Sequence, residues 1–175
     1  QNSQETLALW LQILSRIIDV LTSEPVPELL VAYYTAIVEC VNAVGGAALL
    51  QEQLKNLLLA ANENLKMIYT RIKERDNDDD EYTEDVEEEE EEYTDEELLD
   101  EINKALSALF KQTGSKFLSV FGNLAETTAT FLNDDNTNIK LCGLCVVSDM
   151  LEHCGADSFN YKDMFAETIF TLLVS

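Results

Sequence analysis

The sequence predicts an all-α protein, because two patterns favour helices. Apolar residues recur at steps of three and four along most of the chain, the period of a helix with one buried face. The alternation of apolar and polar residues that half-buried strands require is missing from the sequence. With 175 residues, 46% of them hydrophobic, the chain has the size and apolar content of one domain with a buried core.

The first half of the chain contains three predicted helices. The first covers about residues 3–22. The second starts after Pro25 and Pro27, since proline suits the first turn of a helix, and it is stopped by Gly45 and Gly46. The third covers about residues 48–73.

The second half contains four predicted helices, which begin or end at polar caps and glycines. They cover about residues 94–114, 115–132, 136–155 and the segment that starts at Asp157 or Ser158. Thr94 and Glu97 have the spacing of a capping box, so they predict the start of the fourth helix. Asn136 is the predicted cap of the sixth helix, and Gly155 its predicted end.

The spacing of these helices predicts a repeat. Helices one, three, five and seven begin near residues 5, 48, 115 and 158, at intervals of about 43, 67 and 43 residues. The middle interval is longer by about the length of an acidic segment, so one insertion restores a single period. A helix pair that repeats every ~40–47 residues is typical of HEAT and armadillo arrays. We therefore predict a HEAT-repeat α-solenoid of about three and a half antiparallel helix pairs with an acidic loop insertion, the alternative being an ordinary helical bundle.

The repeat divides the chain into three parts. Residues 1–75 hold one full repeat and the first helix of the next, and residues 76–93 form the acidic flexible insertion. Residues 94–175 hold the second helix of the interrupted repeat, one full repeat and a further first helix. Each pair exposes apolar faces until a neighbour stacks on it, so the unpaired last helix is predicted to be the least stable element.

The net charge of −23 is concentrated in one segment. Residues 76–101 hold eighteen of the 34 acidic residues and no Lys or Arg, and the remaining chain carries only about −5. Nucleic acid is not an expected partner, because binding phosphates requires a basic surface. A membrane is not expected either, because no apolar run approaches the roughly 20 residues of a spanning helix. A basic protein is the expected counterpart.

Residues 76–93 are predicted to form a mobile, extended loop, because apolar residues are nearly absent and like charges repel. One interpretation is a spacer that is merely solvated. The other is a polyanionic contact that raises the rate and affinity of binding to Lys- and Arg-rich segments, with two tyrosines as aromatic contacts. This interpretation makes candidate partner-binding residues of Asp78, Asp79, Asp80, Glu81, Tyr82, Glu84, Asp85, Glu87, Glu88, Glu89, Glu90, Glu91, Glu92 and Tyr93.

Thr94 has two interpretations. Followed by Asp95, Glu96 and Glu97, it matches a phosphorylation pattern directed by acidic residues. Its role as a helix cap is the more economical account, with the three acids serving as charge in the first turn.

Residues 141–154 contain a Cys-x-x-Cys pair and a His-Cys pair, which suggests a metal or redox centre. On one continuous helix Cys142 and His153 would lie roughly 16 Å apart along the axis. Ligands of one zinc must lie within about 4 Å of one another, so a zinc site is not expected. The first cysteine of a redox pair would lie at a helix N-terminus that follows a strand. Here the predicted helix cap lies four to six residues before Cys142, and no strand is predicted before it. We expect reduced thiols, no cofactor, and small Cys and Gly side chains that let this helix pack closely.

A helical wheel divides the same segment into two faces. The apolar face is formed by Leu144, Val147, Met150, Leu151 and Cys154. The other side is formed by Cys142, Asp149, Glu152 and His153. In a solenoid this second side would line the concave surface, so Asp149 and Glu152 are further candidates for partner binding. His153 has neither a placed nucleophile nor a glycine-rich loop beside it, so no catalytic role is expected.

Several segments follow one another in a recognisable order. They are Trp10 to Leu21 followed by Ser23-Glu24-Pro25, Ile37-Val38-Glu39-Cys40-Val41 before the two glycines, the acidic insertion, and then Gly143-Leu144-Cys145, Asp149, Glu152-His153-Cys154 and Ser158-Phe159. In this order the chain resembles the karyopherin-beta nuclear transport receptors, in particular the importin-beta-three, or importin-five, branch.

The resemblance implies a C-terminal-half portion of a long HEAT superhelix that shuttles between cytoplasm and nucleus. Such receptors bind basic import cargo, release it to GTP-bound Ran and contact phenylalanine-glycine nucleoporins, and they are not enzymes. The acidic loop would then contact cargo or Ran. The alternative is a HEAT-repeat scaffold or histone-chaperone-like acidic adaptor that binds basic proteins without responding to Ran.

Overall fold

The computed structural model describes residues 2–78 and 86–174, and their α-helices follow the predicted order, with the predicted fifth helix divided in two. The helices are α1 (Asn2–Leu21), α2 (Pro27–Val44), α3 (Gln51–Asp78), α4 (Val86–Thr113), α5 (Ser115–Leu118), α6 (Gly122–Leu132), α7 (Thr137–Cys154) and α8 (Lys162–Val174). Two 3-10 turns, Gly46–Ala48 and Gly155–Tyr161, precede α3 and α8. The described residues include no strand, and the all-α prediction is confirmed. None of the described helices is both long and apolar enough to cross a membrane.

The helices form two layers. In the first-helix layer, α1 packs against α3, α3 against α6, and α6 against α8. In the second-helix layer, α2 packs against α4 and α4 against α7. The layers are joined by the pairs α1–α2, α3–α4 and α6–α7. This nearest-neighbour packing is that of an α-solenoid, as the repeat spacing predicts.

An aromatic cluster joins the last two repeats. The rings of Phe110 on α4 and Phe117 on α5 have centroids 4.0 Å apart, and Phe121 packs edge-on against Tyr161 at 5.0 Å. All three phenylalanines are fully buried. The predicted fifth helix is therefore wrong in one respect, because the chain turns between α5 and α6. In that turn the N–H groups of Val120 and Phe121 donate to carbonyls three residues earlier. The turn lets the rings of Phe117 and Phe121 both reach the core.

The predicted start of the fourth helix at Thr94 is also wrong. α3 continues to Asp78, α4 begins at Val86, and Thr94 lies in the third turn of α4. The described parts of the predicted loop, residues 76–78 and 86–93, are therefore helical, whereas residues 79–85 lie outside the described residues. Glutamate has a high helix propensity, and acidic side chains in a first turn interact favourably with the helix dipole. These terms outweigh the like-charge repulsion on which the loop prediction rested.

The predicted boundaries around α7 are confirmed. The Asn136 side chain accepts hydrogen bonds from the N–H groups of Asn138, at 3.0 Å, and Ile139, at 3.3 Å. α7 ends before Gly155, which has a positive φ of 52°. The α-helical start predicted at residue 157 or 158 is displaced to Lys162, because Gly155–Tyr161 forms the 3-10 turn instead.

Candidate functional site

A buried ion-pair cluster closes the α3–α4 pair at the base of the acidic segment. The Asp95 side chain, on α4, is only 3% exposed and accepts hydrogen bonds from Arg71 and Arg75 on α3. The Arg75 Nη1 to Asp95 Oδ2 distance is 2.7 Å. We call these three residues the Asp95 clamp. The two arginines are four residues apart, so one face of α3 presents both guanidinium groups to one carboxylate.

A second cluster links α3 to the next repeat. Asp134, in the turn between α6 and α7, accepts hydrogen bonds from Lys73 at 2.7 Å, Tyr69 at 3.0 Å and the backbone N–H of Asn136 at 2.8 Å. Burial alone would raise the pKa of the Asp134 carboxyl group, but these three donors outweigh it and the pKa is lowered. The last turns of α3 thus carry cations on two faces, one toward α4 and one toward α6–α7.

The predicted partner-binding residues of the acidic segment lie between Arg75 and Asp95 along the chain. Asp78 is the last residue of α3, and the run from Glu87 to Tyr93 occupies the first two turns of α4. The predicted residues Asp79, Asp80, Glu81, Tyr82, Glu84 and Asp85 lie outside the described residues. The clamp therefore brings together the two helices from which the acidic segment departs.

The two candidates on α7 lie elsewhere in the second-helix layer. Asp149 is half-buried and accepts a hydrogen bond from Ser107 on α4 at 3.1 Å, whereas Glu152 is exposed. Burial raises the pKa of the Asp149 carboxyl group, with the hydrogen bond from Ser107 acting in the opposite direction. Ser107 lies twelve residues beyond Asp95, so Asp149 contacts α4 roughly 18 Å along its axis from the clamp.

The Cys and His residues of α7 lie at different positions along and around the helix, so they do not form one site. Cys142 is buried against α4 and donates to Asn103 Oδ1 at 3.2 Å, whereas Cys145 is exposed. Burial raises the pKa of the Cys142 thiol to about 12, so it stays protonated. Across the described ranges, no group of three or more His, Cys, Asp or Glu side chains is arranged to hold a metal.

The wheel places two residues of α7 on the wrong side. Cys142 is buried and Leu151 is 55% exposed, the reverse of the predicted faces. α7 is flanked by both α4 and α6, so its buried surface is wider than one stripe. The predicted close packing through small side chains is confirmed at Gly143, where a Cβ atom would lie only 3.1 Å from the backbone nitrogen of Leu132.

The sequence did not predict that Arg71, Arg75 and Asp134 belong to polar clusters. The sequence does contain a pattern for the arginines, because residues four apart lie on one face of a helix. Tyr69 and Lys73 share one face of α3, and Arg71 and Arg75 share another. That pattern has no meaning in the sequence until the acidic partners are known.

Stacked helix pairs in two layers, with an acidic segment between the helices of one pair, define a HEAT-repeat solenoid segment. The family profile described as "Importin repeat 6" matches residues 29–134. The chain belongs to this importin, or karyopherin-beta, family, so the resemblance seen in the sequence is confirmed.

The importin subunit beta-3 of Saccharomyces cerevisiae is 33% identical over 174 residues, which is 99% of this chain and 16% of the relative. The crystal structure of Kap121p is similar with a TM-score of 0.83 and 30% identity, over 98% of this chain and 15% of that one. Kap121p bound to RanGTP gives a TM-score of 0.81 and 27% identity, over 98% and 15% of the two chains. This chain thus spans about a sixth of its relatives' length.

Proposed function

We propose that the chain is a segment of a nuclear transport receptor that binds basic import cargo and is regulated by GTP-bound Ran. The observation that carries the proposal is membership of the importin family over most of the chain. Kap121p, to which the chain is similar, has been crystallised with RanGTP and with Pho4p. In this role the receptor shuttles between cytoplasm and nucleus and also contacts phenylalanine-glycine nucleoporins. The role requires no catalysis by the chain itself.

Within that role, the acidic segment is the electrostatic contact for cargo or for a basic face of Ran. The run Glu87–Glu92 has six carboxylates in two turns of α4, next to six further acids at 78–85 and one at 76. A dense anionic patch raises the association rate and affinity of a basic partner, and both effects weaken with added salt. Asp149 and Glu152 form a second, weaker contact on α7, where Glu152 faces solvent.

The test replaces Glu87–Glu92 with glutamine in the full parent protein, which removes six charges but keeps residues that favour helix. Binding to GTP-loaded Ran, GDP-loaded Ran and a Lys-rich cargo peptide is measured across salt concentrations. We expect a weaker affinity for at least one basic partner and a flatter dependence on salt. The same results are expected on deleting residues 78–92.

The matched control makes six exchanges of exposed glutamates for glutamine outside the acidic segment. The exchanged residues are Glu5, Glu28, Glu39, Glu52, Glu126 and Glu167. It changes the net charge equally, so equal effects of the two variants would contradict a contact at the acidic segment. Equal binding of GTP- and GDP-loaded Ran by the parent would instead favour the scaffold or histone-chaperone-like adaptor.

A further inference from the structure

The Asp95 clamp is not a neutral group. It sets two guanidinium groups against one carboxylate, and all three side chains are at least two-thirds buried. The Nε–H group of Arg71 is buried and has no hydrogen-bond partner among the described residues. A buried donor without an acceptor is costly, so an anion that reached Arg71 would gain a hydrogen bond there.

Thr94 directly precedes Asp95, the carboxylate of that clamp, in the sequence of α4. It lies four residues before the buried Leu98, on the side of α4 that packs on the core, and is itself half-buried. In the sequence it is followed directly by Asp95, Glu96 and Glu97 and preceded by the glutamate run. Because it is not the helix cap, the capping account does not explain its acidic surroundings.

We propose that Thr94 is a site of phosphorylation by an acid-directed protein kinase, and that Arg71 and Arg75 receive the phosphate. Phosphate oxygens are strong acceptors, and guanidinium groups bind them in paired hydrogen bonds. The phosphate fills the donor capacity left in the clamp and ties the N-terminal turns of α4 to α3. The inference rests on the clamp and the local sequence, independently of which partner the acidic segment binds.

The chemistry uses ATP as the phosphoryl donor. The Thr94 hydroxyl oxygen attacks the γ-phosphorus, and the new O–P bond forms as the bond from that phosphorus to the β,γ-bridging oxygen breaks. ADP leaves with the electron pair, and the hydroxyl proton passes to the catalytic carboxylate of the kinase. Thr94 makes an interaction of its own in the structure, so the kinase must capture an opened N-terminus of α4. Like charges three and four residues apart weaken a helix, so they reduce the free-energy cost of this opening.

The test is phosphorylation of the chain by an acid-directed kinase with ATP, followed by site mapping and phosphorus NMR titration. A peptide of residues 86–100 phosphorylated at Thr94 is the reference, since it keeps the glutamates and lacks both arginines. Guanidinium groups favour the dianion, so we expect the second phosphate pKa in the chain to lie below that of the peptide by about half a unit or more.

Variants separate the clamp from general electrostatics. Arg75→Gln should return the phosphate pKa toward the peptide value, whereas Arg75→Lys should keep part of the shift. Lys66→Gln removes an exposed cation from the same helix and should leave the pKa unchanged. Absence of phosphate from Thr94 in the treated chain, or a phosphate pKa equal to that of the peptide, would overturn the proposal. The peptide comparison needs no variant, so the test holds even if Arg75→Gln folds poorly.

Discussion

Replacing Asp95 with alanine should destabilise the chain substantially, because it removes the shared partner of two partly buried cations. Asp95 is 3% exposed and accepts from both Arg71 and Arg75. Two charge-assisted hydrogen bonds contribute about 1.5–3 kcal/mol each. Removing one partner of a fully buried ion pair costs about 3–5 kcal/mol.

The exposure of the arginines reduces this figure. Their side chains are 30% and 27% exposed, so water reaches the guanidinium groups once the carboxylate is gone. We therefore expect the free energy of unfolding to fall by about 2–3 kcal/mol, less than for a fully buried pair. Asp95→Asn keeps one acceptor and should lose less.

The assay is urea unfolding followed by circular dichroism, with the free energy obtained at a common m-value. Asp100→Ala is the matched control, because it removes the same charge from the same helix. The Asp100 side chain is 64% exposed and pairs only with an exposed Lys104 among the described residues, so little change is expected. A double-mutant cycle with Arg75→Ala isolates the coupling between the two partners. If Asp95→Ala is no more destabilising than Asp100→Ala, the clamp does not stabilise the α3–α4 pair.

Three further predictions concern packing and pH. Gly46→Ala should lower the free energy of unfolding by about 1–3 kcal/mol, because the added Cβ would lie 1.8 Å from the Gln112 carbonyl oxygen. Gly122→Ala is the control in urea unfolding, because no atom lies within 4 Å of its added Cβ. Phe117→Ala should cost about 3–5 kcal/mol in the same assay, and an equal loss for Phe159→Ala, at a side chain 68% exposed, would contradict the aromatic-cluster account. The lowered pKa of Asp134 means that its carboxylate stabilises the fold above the ordinary pKa of 3.8, and this stabilisation is lost as the pH falls through the folded-state value. The stability difference between wild type and Asp134→Asn should therefore be full at neutral pH and shrink below about pH 4, and a constant difference from pH 7 to pH 3 would refute the assignment.

Local signals predicted most helix boundaries correctly. Asn136 caps α7 through its own side chain, and Gly45 and Gly155 follow helix ends with positive φ angles. Each of these signals acts within a few residues, so it can be read from the sequence directly. The repeat spacing likewise predicted which helices lie next to each other, since each pair contacts only its neighbours.

The acidic segment shows where local reasoning failed. Thr94 has the residue type and spacing of a cap, yet it lies inside α4. A helix that starts at Thr94 competes with a longer helix that includes the glutamates before it. Those glutamates favour the longer helix through their helix propensity and the helix dipole, and they oppose it through like-charge repulsion. Sequence patterns alone do not weigh these opposing terms.

The sequence by itself determined the helical class, the paired repeat, the family and the place of the acidic segment, because periodicity, caps and composition are local properties. Only the tertiary structure decided that Arg71 and Arg75 meet Asp95, that Tyr69 and Lys73 meet Asp134, and that Asp149 meets Ser107. These partners are separated by 20 to 65 residues, and each pairing depends on which faces the packed helices turn toward one another. The free energy of such a contact exists only once packing has buried both groups, so no local pattern records it.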